Sequence, residues 1–129
     1  MKLSHHICNE HTVLSLDGEF DASALHQHRD ALNKLVDAAR EGVVVDLQCT
    51  QFMDSAGVGA LVFFFKRLKG KGRQFCLAGL SGQPLKLAQL LRIEQTIRSY
   101  STLSEWMHDN PVPVPTHLQR TKNRDLFLH

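Results

Sequence analysis

Apolar positions along the chain follow two rhythms: short β-branched or alternating runs, each followed by a longer stretch with apolar residues three and four apart. Leu3 to Cys8 and Thr12 to Leu16 flank Asn9-Glu10 and predict two short strands joined by a tight turn. After Asp17-Gly18-Glu19-Phe20-Asp21, a helix is expected to about Arg40, with Ala22, Leu25, Leu32, Val36 and Ala39 on one face and Gly42 as its stop. Val43-Val44-Val45-Asp46-Leu47 is a continuous run, suited to a central strand covered on both faces. The helix expected over Ser55 to Leu68 repeats Val58, Leu61, Val62, Phe65 and Leu68 as a core-facing stripe and ends in Lys69-Gly70-Lys71-Gly72. Phe75 to Gly79 reads as another buried strand, and Pro84 opens a helix through Leu85, Ala88 and Leu91. Thr96-Ile97-Arg98 is expected as a short edge strand. Ser101 to His108 follows as a last helix, with Thr102 and Glu105 at capping-box spacing. Strands alternating with helices imply an α/β fold with a mixed sheet.

Asn110-Pro111-Val112-Pro113-Val114-Pro115 breaks this rhythm, because three prolines in five residues remove donors and favour extended backbone. One domain over residues 1–109 and a tail over residues 110–129 are therefore expected. The tail is polar and basic up to Asp125 and then apolar at Leu126-Phe127-Leu128, which suits a disordered segment or a short docking element.

A length of 129 residues allows one core, and 43% hydrophobic residues suffice to build it. The formal charge of +2 is too small to argue for nucleic acid or an anionic membrane, which leaves protein as the expected partner. No apolar run approaches a membrane span, and Met1 to Glu10 lacks the apolar centre of a secretory signal, so a cytoplasmic address is expected. Cys8, Cys49 and Cys76 fit neither a disulfide framework nor a zinc site and read as free, buried thiols. His5-His6 and His26-x-His28 lack metal spacing and read as surface histidines. No cofactor is expected.

The candidate chemistry lies where Gln51-Phe52-Met53-Asp54-Ser55-Ala56-Gly57-Val58-Gly59 enters a helix. If Ser55 is the N-cap, its oxygen is taken up by backbone N–H groups. If Asp54 is the N-cap, Met53 and Val58 fall at the spacing of a hydrophobic staple, and Ser55 takes the first helical position with its hydroxyl free. The carboxylate and the staple favour the second assignment. A phosphate on that serine would meet the positive end of the helix dipole, so the fold should tolerate it while the surface gains about two negative charges. Gly57 and Gly59 resemble fragments of a phosphate loop, but the following Lys-Ser/Thr is absent, and close backbone packing is the reading preferred for both. Phe63 and Phe64 are read as core. Asp21, Asp54 and Ser55 lack a histidine base placed by sequence, so an enzyme is not expected.

Gly18-Glu19-Phe20-Asp21, Val43 to Leu47 and Phe52-Met53-Asp54-Ser55-Ala56-Gly57-Val58-Gly59-Ala60-Leu61 together resemble the STAS domain proteins of the anti-sigma factor antagonist type. The order of elements agrees from about Leu3 to His108. The resemblance implies an α/β STAS-type fold with a mixed, mostly parallel sheet of four to five strands and about four helices. It also implies phosphorylation at Ser55, with Asp21, Asp54, Ala56, Gly57 and Val58 around it; Ala56 stands where the family often has a second serine. Partner switching would follow. The unphosphorylated protein would bind a serine kinase of the histidine-kinase-like ATPase fold, often also an anti-sigma factor, and a PP2C-type phosphatase would restore it after release. Transcription, biofilm or motility control are the implied outputs. The rival expectations are a non-switching subunit of a stressosome-like or lipid-transport ATPase complex, and a small-ligand or nucleotide sensor.

Overall fold

The computed structural model describes residues 1–112. Strands β1 (Lys2–Cys8) and β2 (His11–Phe20) form an antiparallel hairpin running from Lys2↔Asp17 to Cys8↔His11. Asn9 and Glu10 both take positive φ, as a two-residue turn matched to strand twist requires. Helix α1 (Ala22–Ala38), β3 (Gly42–Asp46), β4 (Thr50–Met53), α2 (Ser55–Lys69) and β5 (Gln74–Ala78) follow. Helix α3 (Gly82–Leu90), a 3-10 turn at Ile93–Gln95, β6 (Ser99–Tyr100) and α4 (Leu103–Asp109) complete the described chain.

The sheet runs β1-β2-β3-β5-β6, parallel except for the first pair, and β4 also pairs with β2. Strand β3 is central, as its run of valines predicts. Alternation along the strands divides the interior in two. Leu14, Leu16, Val43, Val45, Phe75 and Leu77 join the main core under α1, α2 and α3, whereas Val13, Val44, Cys76 and Ala78 face the other way, against Trp106 of α4. Trp106 is fully buried, with His11 edge-on to its ring at 5.0 Å.

Strand β4 is absent from the expected elements, and β2 runs four residues past its expected end at Leu16. These departures share one cause. β2 continues through an irregularity at Gly18 (φ +107), so its first half pairs with β3 and its second half with β4. Thr50 fixes that second pairing, its buried hydroxyl donating to the Leu16 carbonyl at 2.6 Å.

Smaller differences have local reasons. Ala24, not Ala22, is buried on α1. The helix stops at Ala38 because Ala39 turns extended and Arg73 donates to its carbonyl at 2.7 Å. Pro84 is the third residue of α3 rather than the first, still among the N–H groups that no helix satisfies. Ile97 is fully buried outside any strand, and the edge strand falls at Ser99–Tyr100; its apolar character signalled burial rather than pairing. Phe64 is core but Phe63 is 57% exposed, since neighbours on a helix point about 100° apart. Cys76 is buried and Cys8 half-buried, but Cys49 is exposed. Of the expected tail, Asn110, Pro111 and Val112 are described; the rest lies outside the described residues.

Candidate functional site

Strands β2 and β4 run parallel with Phe20 opposite Met53, so the next residues, Asp21 and Asp54, leave the sheet side by side and each starts a helix. Asp21 caps α1 by accepting from the Ala24 N–H at 2.9 Å. Asp54 caps α2 by accepting from the Gly57 N–H at 2.9 Å, and its second carboxylate oxygen accepts from the Ala22 N–H of α1 at 3.1 Å. One carboxylate thus holds two helix starts. The Gly57 N–H is the main reason the Asp54 carboxyl titrates below its ordinary value; partial burial opposes the effect and the Ala22 N–H reinforces it.

With Asp54 as the N-cap, Ser55 is the first helical residue, and its side chain is exposed. Met53 and Val58 are both buried in the main core. Gly57 cannot carry a side chain: a Cβ there would lie 2.2 Å from the Phe20 carbonyl oxygen, so α2 starts directly against the end of β2. Gly59 differs from its expected role. Nothing lies within 4 Å of its missing Cβ, because it borders an open groove of about 520 Å³ between α1 and α2. Leu25, Arg29, Ala56 and Phe63 line the same groove.

Of the residues that the resemblance implies around Ser55, Asp21 and Asp54 start neighbouring helices and Ala56 follows Ser55 on α2, whereas Gly57 and Val58 are buried beneath as packing residues. Sequence reasoning missed Gln83. The Gln83 amide donates to the Met53 carbonyl and accepts from the Met53 N–H, both at 2.8 Å, imitating a strand beside β4. No local signal marks such a residue, since its partner is thirty positions away. The Ala22 N–H was missed for the same reason. Phe52 and Phe63, 40% and 57% exposed, add apolar surface to this part of the molecule.

Among the described residues, no group of three or more His, Cys, Asp or Glu side chains is placed to hold a metal, and no helix is long and apolar enough to cross a membrane. The family model for the STAS domain matches residues 4–106, which include both aspartate caps and Ser55.

The chain belongs to the STAS domain family.

Within that family it is similar to the anti-sigma-B factor antagonist of Listeria monocytogenes, with 29% identity over 103 residues covering 78% of this chain and 89% of the relative. Its STAS fold is also that of solved anti-sigma factor antagonists. The protein from Mycobacterium paratuberculosis aligns with a TM-score of 0.78 at 21% identity, covering 84% of this chain and 92% of that one. The Bacillus cell fate determinant SpoIIAA in its phosphorylated form aligns with a TM-score of 0.64 at 22% identity, covering 84% and 98%.

Proposed function

We propose that this STAS domain is a partner-switching regulator of the anti-sigma factor antagonist type, modified at Ser55. The observation that carries the proposal is the cap: Asp54, not Ser55, satisfies the first turn of α2, so the serine hydroxyl stands exposed and unspent. The relatives support it, since one is named an anti-sigma-B factor antagonist and another is a phosphorylated cell fate determinant.

In this reading residues 1–109 form the regulatory domain, and the unmodified surface around Asp21, Asp54, Ser55 and Ala56 binds a serine kinase of the histidine-kinase-like ATPase fold. Transfer of the ATP γ-phosphoryl group to the Ser55 oxygen, with loss of the hydroxyl proton, adds negative charge where the partner docks and releases it. The first turn of α2 tolerates that charge through its dipole and its N–H groups. A PP2C-type phosphatase hydrolyses the ester and resets the protein. The chain acts in the cytoplasm as substrate and binder, with no catalysis of its own, and the output is control of transcription, biofilm formation or motility.

Incubation with the cognate kinase and ATP tests this. The intact mass is expected to rise by one phosphoryl group in the wild type and to stay unchanged in Ser55→Ala; labelling of Ser55→Ala to the same extent would refute the assignment. Ser55→Asp is expected to lose the kinase, whereas binding indifferent to that change would point to a non-switching subunit.

A further inference from the structure

Helices α1 and α2 leave the sheet side by side and run in the same direction, and the seam between them is tied at both ends. At its start the Ala22 N–H donates to the Asp54 carboxylate. Farther along, Arg67 donates to the Asn33 side chain at 3.1 Å and to Asp37 at 2.6 Å, and Lys71 reaches the same Asp37 at 3.4 Å. The helices stay in step between these ties, since Ala22 and Asp54 are 32 residues apart and the pairs Asn33 with Arg67 and Asp37 with Lys71 are each 34 apart. The same offset sets Arg29 level with Phe63.

Between the ties the seam does not close. The α2 residues along it are Ala56, Gly59 and Ala60, too small to fill it, and a groove of about 520 Å³ is left open. Gly59 contributes most to the opening, because a Cβ there would meet nothing within 4 Å. Leu25 and Phe63 stand beside this floor, and Phe63 is 57% exposed. The volume lies within the roughly 300 to 1,000 Å³ of small-molecule sites, which are mostly apolar with a few polar groups that fix orientation.

Two arginines line the groove, and they are not equivalent. The Arg67 guanidinium is spent on Asn33 and Asp37, and the second of these offsets its charge. Arg29 is exposed and enters no ion pair among the described residues. One unspent guanidinium therefore stands beside an apolar floor. Its planar fork matches a carboxylate with two parallel hydrogen bonds, and one free positive charge calls for one negative charge. From Phe63 back to Ala56 the floor is about 10 Å long at the helical rise, a shape that suits an extended chain rather than a compact group.

We propose that the groove between α1 and α2 binds a small carboxylic acid with an extended apolar chain. The carboxylate sits on Arg29, and the chain lies over Ala60, Gly59 and Ala56. Its far end then reaches the neighbour of Ser55, so an occupied groove changes the surface beside that serine. This last consequence rests on the proposed modification of Ser55, whereas the binding does not.

Titration of the full chain with sodium decanoate below its micellar concentration, followed by backbone amide shifts, tests the proposal. Saturable shifts are expected at Arg29, Ala56, Gly59 and Phe63, and decanol, which lacks the charge, is expected to bind about tenfold more weakly. Arg29→Gln, a change at an exposed position, should weaken decanoate by a similar factor, and Gly59→Leu should abolish binding by filling the groove. Thermal melts of both variants establish that they are folded. The absence of saturable shifts, shifts centred elsewhere, equal affinity for decanol, or binding unchanged by either variant would overturn the proposal. Shifts at the same amides that follow protein concentration without decanoate, together with a dimeric mass, would overturn it by assigning the groove to a second copy.

Discussion

The Ala22 N–H donates to the Asp54 carboxylate at 3.1 Å, across thirty-two residues of sequence, so the start of α1 is held by the cap of α2. Asp54→Ala removes both acceptors and should cost about 1 to 3 kcal/mol, the range of a lost N-cap plus a second orphaned N–H. Asp54→Asn keeps one acceptor oxygen and should cost less. Urea unfolding of the three proteins checks the order.

The same carboxylate gives a pH signature. Its folded-state pKa lies below the ordinary 3.8, so the folded protein binds this proton more weakly than the unfolded chain does. The resulting stabilisation is complete above the unfolded value and is lost as pH falls through the lower folded one. The stability difference between wild type and Asp54→Asn should therefore be flat above about pH 5 and shrink below 3.8, read from urea midpoints across pH.

Gly57 and Gly59 should respond in opposite directions. A Cβ on Gly57 would lie 2.2 Å from the Phe20 carbonyl oxygen, a backbone atom with little freedom to yield, so Gly57→Ala should destabilise by about 1 to 3 kcal/mol or more. Gly59 meets nothing within 4 Å inside a helix, and Gly59→Ala should stabilise by about 0.5 to 1 kcal/mol. Denaturant midpoints decide both.

Gln83→Ala should cost about 1 to 3 kcal/mol, because it removes two hydrogen bonds and leaves the Met53 backbone without its side-chain partner. The sharper readout is local. The Met53 amide should exchange faster in the variant while Val44 does not change.

Thiol labelling of the native protein should modify Cys49 readily and Cys76 only on unfolding. Cys49 is exposed, whereas Cys76 is buried and burial pushes its thiol above the ordinary 9.0, which lowers the thiolate fraction. Mass spectrometry of labelled peptides distinguishes them.

Much of this architecture was legible wherever a local pattern and the tertiary environment agree. The valines of β3, the stripe of α2 and the Asp54 cap each follow from residues within one turn or one strand of each other. Strand β4 was not legible, because Gln51 and Phe52 are both exposed and the strand exists through its pairing with β2 and the Gln83 amide. The second role of Asp54 was hidden for a related reason: a carboxylate before a helix announces its own cap, but nothing in the sequence says that another helix begins beside it. Ile97 shows the converse: it was expected in an edge strand, yet it is fully buried outside any strand, so an apolar residue there marked burial and not pairing.

Strand β2, ten residues long, is bonded to β1 and β3 over its first part and to β4 beyond Gly18, and it ends at the residue against which Gly57 is pressed. A beam clamped along its length has no slack to pass on as motion. A charge added to Ser55 at its far end would leave the frame as it was and alter only what an approaching protein feels. Under the proposed switch the message is therefore written in electric potential rather than in shape, and raised ionic strength should blunt it.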